Sequence, residues 1–194
     1  MKTFVISIAA LAIAFSACSN NSSQTKQAAN ENKDTGVTKA QVPDTSGQQG
    51  TQVNEALNAY LQIKNALASD NGQEAAAGGN AFVTAIGKVD KSAMSAEQNQ
   101  TFQEIADDAK EMAEHIGKSA DKIEHQREHF DMLSQDMYDL VKSFGGGRPL
   151  YKDYCPMYNN NKGASWISET KVIKNPYLGK KMPECGEVKE EIKK

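Results

Sequence analysis

Hydrophobic and polar positions along the chain fall into three regimes. From Phe4 to Phe15 nearly every residue is apolar. From Ser19 to Gly50 Asn, Ser, Gln, Lys, Thr and Gly dominate. From Gln52 onward the apolar positions become periodic. Val53, Leu57, Tyr60, Leu61 and Leu67 fall near one helical stripe, and Asp70-Asn71-Gly72 then signals a turn. A second segment, Gln73 to Val89, carries Ala75, Phe82, Ile86 and Val89 at helical spacing. Gly78-Gly79 weakens it by about 1 kcal/mol per glycine. Either that helix starts late, or the glycines permit close helix–helix contact. The short run Ala81–Ile86 reads equally well as a strand. The third segment is the clearest. Ser95 and Gln98 form a capping box ahead of an apolar face of Phe102, Ile105, Ala106, Ala109, Met112, Ala113 and Ile116. Gly117 fits the residue just past its end. Ser119 is expected to cap a fourth helix carrying Ile123, Phe130, Leu133, Met137, Val141 and Phe144, which Gly145-Gly146-Gly147 ends. Four amphipathic segments with short connections predict an all-α fold: an up-down four-helix bundle over 51–147, with an irregular Cys/Met-containing segment, 148–194, packed on it.

The first regime has the layout of an export signal: Lys2, then a short apolar run. A bilayer span needs roughly 20 apolar residues, more than are present. The run closes on Phe15-Ser16-Ala17-Cys18, which resembles the bacterial lipobox. An ordinary signal peptide and a single-span anchor compete with this reading, but Cys18 sits where cleavage must fall. The resemblance implies a signal peptide over 1–17 and lipidation of Cys18. Residues 18–50 are then expected to be a disordered tether, because so polar a segment cannot bury enough surface to offset its ordering entropy. Ser19-Asn20-Asn21 carries no aspartate of the inner-membrane retention kind. The expected location is therefore the periplasmic face of the outer membrane. The net charge of −3 and the lack of a basic patch interleaved with aromatics argue against nucleic acid as a partner.

Beyond Gly147 the composition changes. This stretch holds four of the five prolines, four of the six tyrosines and the one tryptophan. Two sulfur clusters stand out, Cys155-Pro156-Met157 and Met182-Pro183-Glu184-Cys185. Thiolate and thioether are soft donors that select Cu(I), with Ag(I) chemically alike. Zn sites draw instead on Cys and His without Met. Two plainer readings compete. Cys155 and Cys185 suit a structural disulfide in an oxidising compartment, where closing a loop of about 30 residues would stabilise by roughly 3–4 kcal/mol. Met157 and Met182 suit core filling. Among the histidines, His125 and His129 share a helix face at i, i+4, as do Glu111 and His115. His115 and His125 are expected to be solvated positions. No nucleophile elbow, zincin motif or phosphate loop is present, so an enzyme is not expected.

Several stretches together resemble one family. They are Asn65-Ala66-Leu67-Ala68 and Gln126-Arg127-Glu128-His129-Phe130 in the helical part, then Tyr154-Cys155-Pro156-Met157, Trp166-Ile167-Ser168, Asn175-Pro176-Tyr177 with Gly179, and Met182 with Cys185-Gly186. In this order they resemble an uncharacterised domain family of exported bacterial lipoproteins, also appended to periplasmic adaptor subunits of heavy-metal efflux pumps. The resemblance runs from Val53 to about Val188. It implies a role around copper or silver in the cell envelope. It tips the cysteines toward a Cu(I) or Ag(I) site formed by Cys155, Met157, Met182 and Cys185, with His129 reaching in from the bundle. Arg127 and Glu128 are expected to anchor the C-terminal segment by ion pairing. The implied partners are the membrane, through the lipid anchor, and an efflux pump adaptor. The alternative is a disulfide-stapled helical interaction module without metal.

The lipobox reading makes one prediction. Cys18→Ala should release the protein from the membrane fraction of the producing cell; an uncleaved, membrane-bound variant would refute lipidation.

Overall fold

In the computed structural model of the protein, residues 46–193 are described, with side chains from Val53 onward. The expected signal peptide, Cys18 and most of the expected tether lie outside these residues. Four helices follow: α1 (Ser46–Ala68), α2 (Gly72–Gly87), α3 (Ala96–Gly117) and α4 (Ile123–Phe144). Residues 46–50, assigned above to the tether, are thus helical. Each helix packs on its chain neighbours, and α1 closes the bundle against α4. The cause is the apolar stripe on each: Leu57, Tyr60 and Leu67 of α1, Phe82 and Ile86 of α2, Phe102 and Ile116 of α3, and Phe130, Leu133 and Met137 of α4 are all buried.

The local signals resolve as follows. Ser95 caps α3 by accepting the Gln98 N–H at 3.1 Å, while the Gln98 side chain accepts the Ser95 N–H at 2.9 Å. Ala81–Ile86 is helical, and α2 runs unbroken through Gly78-Gly79. Close approach is therefore their role. A Cβ on Gly79 would lie 2.7 Å from the Ala113 carbonyl oxygen, and one on Gly78 would lie 2.8 Å from Ile63 Cγ1. Gly117 is the last residue of α3 and not the residue past its end; Asn80 of α2 fills the space a side chain there would need. Ser119 does not cap α4; Lys122 occupies that position without a side-chain bond. Gln126 does related work from inside the helix. Its buried amide donates to the Ile116 carbonyl at 3.1 Å and the Gly72 carbonyl at 2.9 Å, holding together the ends of α3 and α2.

The fold is not all-α. The C-terminal segment, expected to be irregular, contains a three-stranded antiparallel sheet: β1 (Leu150–Cys155), β2 (Ala164–Ser168) and β3 (Glu187–Ile192), in the order β2-β1-β3. β1 pairs Tyr151 with Ser168 and Cys155 with Ala164 on one side, and Tyr154 with Glu187 on the other. The strands escaped the sequence reading because their alternation is broken. β1 shifts register against β3 between Lys152 and Asp153, and β3 is a charged edge strand, a common guard against edge-to-edge association. β2 lies against α4, and the core of the bundle continues without a break into Leu150, Trp166, Ile167 and Tyr177.

Two buried polar features lie where α1 meets the sheet. Lys64 of α1 is 1 % exposed and pairs with Glu169 at 2.6 Å. Burial lowers the lysine's pKa and Glu169 opposes it. Burial, the largest influence, would raise Glu169, but the Lys64 hydrogen bond, a backbone hydrogen bond, the Lys64 charge and the Asn65 amide together hold the carboxyl below its ordinary value. Asp153 of β1 is wholly buried, and neither carboxylate oxygen finds a hydrogen-bond partner. Burial pushes its pKa up to about 7; Lys64 opposes this, and Glu169 adds to it.

Two predictions follow from this packing. Gly79→Ala should destabilise by roughly 1–3 kcal/mol, the usual cost of overpacking, read as a lower urea midpoint at unchanged slope. Asp153 ionises near 3.8 unfolded and near 7 folded, so its contribution is full below about pH 4 and is lost as pH rises through 7. Asp153→Asn keeps the neutral shape and should raise the melting temperature at pH 8, by at most about 4 kcal/mol of stability at 1.36 kcal/mol per unit. The gain should shrink at pH 5, as thermal melts at the two pH values will show.

Candidate metal centres

The segment carrying the second cysteine is fixed by Asn175-Pro176-Tyr177. Asn175 is buried, and its side-chain oxygen accepts the N–H groups of Tyr177 and Leu178 at 2.8 Å each. Its amide nitrogen donates to the Cys185 carbonyl at 2.6 Å, and its backbone N–H donates to the Pro183 carbonyl at 2.9 Å. One side chain thus shapes the turn and ties down the Cys185 end. Arg127 of α4 holds the same segment from the bundle. It donates to the Pro176 carbonyl at 2.9 Å and the Leu67 carbonyl at 3.1 Å, and it pairs with Asp70 at 2.5 Å and Glu124 at 2.8 Å. Gly179 sits beside that pair at φ +52°, where a Cβ would collide with the Asp70 carboxylate and the guanidinium. Arg127 thus anchors the C-terminal segment mainly through a carbonyl. Glu128 takes no part in this and instead faces His125 Nδ1 at 3.4 Å.

The sheet brings the two cysteines together. Cys155 closes the central strand, Cys185 lies just before β3, and the β1–β3 pairing brings their Sγ atoms to 2.7 Å with both thiols free. Cys155 is fully buried. Burial, then the hydrogen bond and charge of Cys155, push the Cys185 thiol up to about 11, while a bond from the Met157 backbone N–H pulls the other way. Both methionines stay close along the chain, and Cys185 N–H donates to the Met182 carbonyl at 3.2 Å. Their side chains are 51 % exposed at Met157 and 40 % at Met182, so neither fills the core.

His129 lies elsewhere, in a cluster with the two histidines that were expected to be solvated. Its Nε2 is 3.1 Å from His125 Nε2, and its Nδ1 is 3.4 Å from Met112 Sδ on α3. His115, from the last turn of α3, stacks on it with ring centroids 4.4 Å apart. Ligand atoms of His115, His125 and His129 all fall within 4.8 Å of one another, and among the described residues this is where three such side chains converge. His129 therefore sits among histidines and not with the cysteines. The signal that pointed here was the i, i+4 pair on α4. The third member was illegible, because only the folding of α3 back onto α4 brings His115 over it.

Residues 56–148 match the model of an uncharacterised domain family, described as Protein of unknown function (DUF3347). No curated protein and no solved structure matches the chain. The matched stretch runs from within α1 to just past α4. It encloses the three histidines and ends before β1, so both cysteines lie outside it.

Proposed function

We propose that the protein is a membrane-anchored, extracytoplasmic metal-binding protein that sequesters Cu(I) or Ag(I) at Cys155 and Cys185, or passes it to an efflux system. The observation that carries this reading is the meeting of two free thiols at 2.7 Å from positions 30 residues apart. Two adjacent sulfurs make a soft donor pair, and soft donors select Cu(I) and Ag(I). Cys155 offers its sulfur from the buried side, and the half-exposed Met157 and Met182 stand toward solvent, where an arriving ion would first meet a thioether. Binding must displace the thiol protons. With the Cys185 thiol pushed up to about 11, it stays protonated through neutral pH, so uptake there releases its proton and weakens as pH falls. The anchor at Cys18 and the efflux partner rest on the lipobox and on the C-terminal motifs. Binding, and not catalysis, is the activity proposed.

A second reading is favoured by the same contact. The thiols are placed to lose two protons and two electrons to a disulfide-exchange partner and form a staple between β1 and the β3 approach. In that case the protein is a helical interaction module of the cell envelope.

Anaerobic titration of the reduced protein against a chromogenic Cu(I) chelator separates the two. One Cu(I) per chain is expected. Cys155→Ser and Cys185→Ser should each weaken it on the order of 100-fold, about 2.8 kcal/mol, and Met157→Leu and Met182→Leu should weaken it far less. Affinity should fall as pH drops. A disulfide that resists mild reductants in protein from its native compartment, with no Cu(I) uptake after full reduction, would leave the staple as the function of this pair.

A further inference from the structure

We infer that His115, His125 and His129 form a second metal site, for a borderline divalent ion of the Zn2+ or Cu2+ class, spanning the hairpin between α3 and α4. The site is independent of the thiol pair in position and in chemistry.

Its placement begins in the sequence. An i, i+4 spacing puts His125 and His129 on one face of α4. The tight connection after Gly117 turns the chain back, so that the last turn of α3 lays His115 over that face. Nitrogen ligands sit roughly 2.0–2.1 Å from Zn2+, which in a tetrahedral site places them about 3.3 Å from each other. His125 and His129 already present Nε2 atoms 3.1 Å apart. The remaining ligand atom lies within 4.8 Å, on a His115 side chain that is 47 % exposed.

A shared proton accounts for part of this geometry. Two Nε2 atoms at 3.1 Å hold one proton between them, which leaves one ring as acceptor. It does not account for the third imidazole, stacked face to face on His129 at 4.4 Å, where protonated rings would repel.

Polar side chains flank all three rings. His125 Nδ1 faces the Glu128 carboxylate at 3.4 Å, His115 Nε2 lies 4.0 Å from Glu111, and His129 Nδ1 faces Met112 Sδ at 3.4 Å. A carboxylate on the far nitrogen fixes the ring and raises its basicity. Because Met112 sits at that far nitrogen of His129, it orients the ring and does not complete the coordination. Three imidazoles without thiolate suit Zn2+ and Cu2+ over Cu(I), and three protein ligands leave a fourth position for water or a partner's ligand.

The test uses the full-length protein, with Zn2+ as ligand and Co2+ as its spectroscopic stand-in. One equivalent should bind with the visible bands of tetrahedral Co2+ and without the near-ultraviolet thiolate-to-cobalt band. Zn2+ should raise the melting temperature, and a chelator should reverse the rise. His115→Ala and His125→Ala, both at half-exposed positions, should each lower Zn2+ affinity at least tenfold, and the double variant should lose the thermal shift. His115→Gln and His125→Gln serve if an alanine variant loses its helical circular dichroism. Cu(I) uptake by the same variants should be unchanged, which separates this site from the thiol pair. Unchanged Zn2+ affinity in the double variant, a dominant thiolate band, or no saturable binding would overturn the inference.

Discussion

The burial of Tyr177 is the interaction on which the rest of the structure depends. Its ring packs on Phe130 of α4 at 5.7 Å, Tyr158 at 4.5 Å and Trp166 of β2 at 5.9 Å, while Phe130 stacks on Tyr60 of α1 at 5.0 Å. Each polar tip is satisfied as it goes under. Tyr177 donates its hydroxyl to the Ser165 carbonyl at 2.6 Å, and Tyr60 exchanges with Ser134 at 2.8 Å while accepting the Ile167 N–H at 3.0 Å. Aromatic burial supplies the driving force, and the hydroxyl bonds avoid the cost of orphaned polar groups. Helical bundle and sheet thereby become one core.

That core explains why a short, charged sheet is stable at all. A three-stranded sheet of five- and six-residue strands needs a partner surface. Here α4 provides it by lying against β2, and Arg127 clamps the returning chain. Asn175 then carries the constraint to Cys185. The Cys185 side of the thiol pair is thus tied to the buried Tyr177 through Asn175, in addition to the β1–β3 pairing.

The two candidate centres differ in what holds them. The cysteines meet through β1–β3 pairing, a contact between distant parts of the chain. The histidines meet across one tight helical hairpin and depend on α3 lying against α4, where the Gln126 amide of α4 donates to the Ile116 carbonyl of α3. The family match covers the second arrangement and stops short of the first. The donors differ likewise: imidazole nitrogens at one, with burial lowering the pKa of His129, and thiols at the other, with burial raising that of Cys185.

The sequence by itself determined the helical half. Stripes of period 3.6, the Ser95–Gln98 capping box and the triple glycine are local signals, and local signals are read without knowing the fold. It also identified Cys155 with Cys185, Arg127 and Asn-Pro-Tyr as residues to watch. Tertiary structure alone decided the rest. It made Gly117 a contact and not a terminator, left Ser119 without a capping role, built a sheet from strands with no clean alternation, and gathered His115 onto His125 and His129 while keeping His129 away from the cysteines. The physical reason is common to all of these. Each depends on which surfaces meet after the chain turns back, and the energy that settles it, aromatic burial and strand pairing between residues far apart, leaves no periodic trace in the segments it joins.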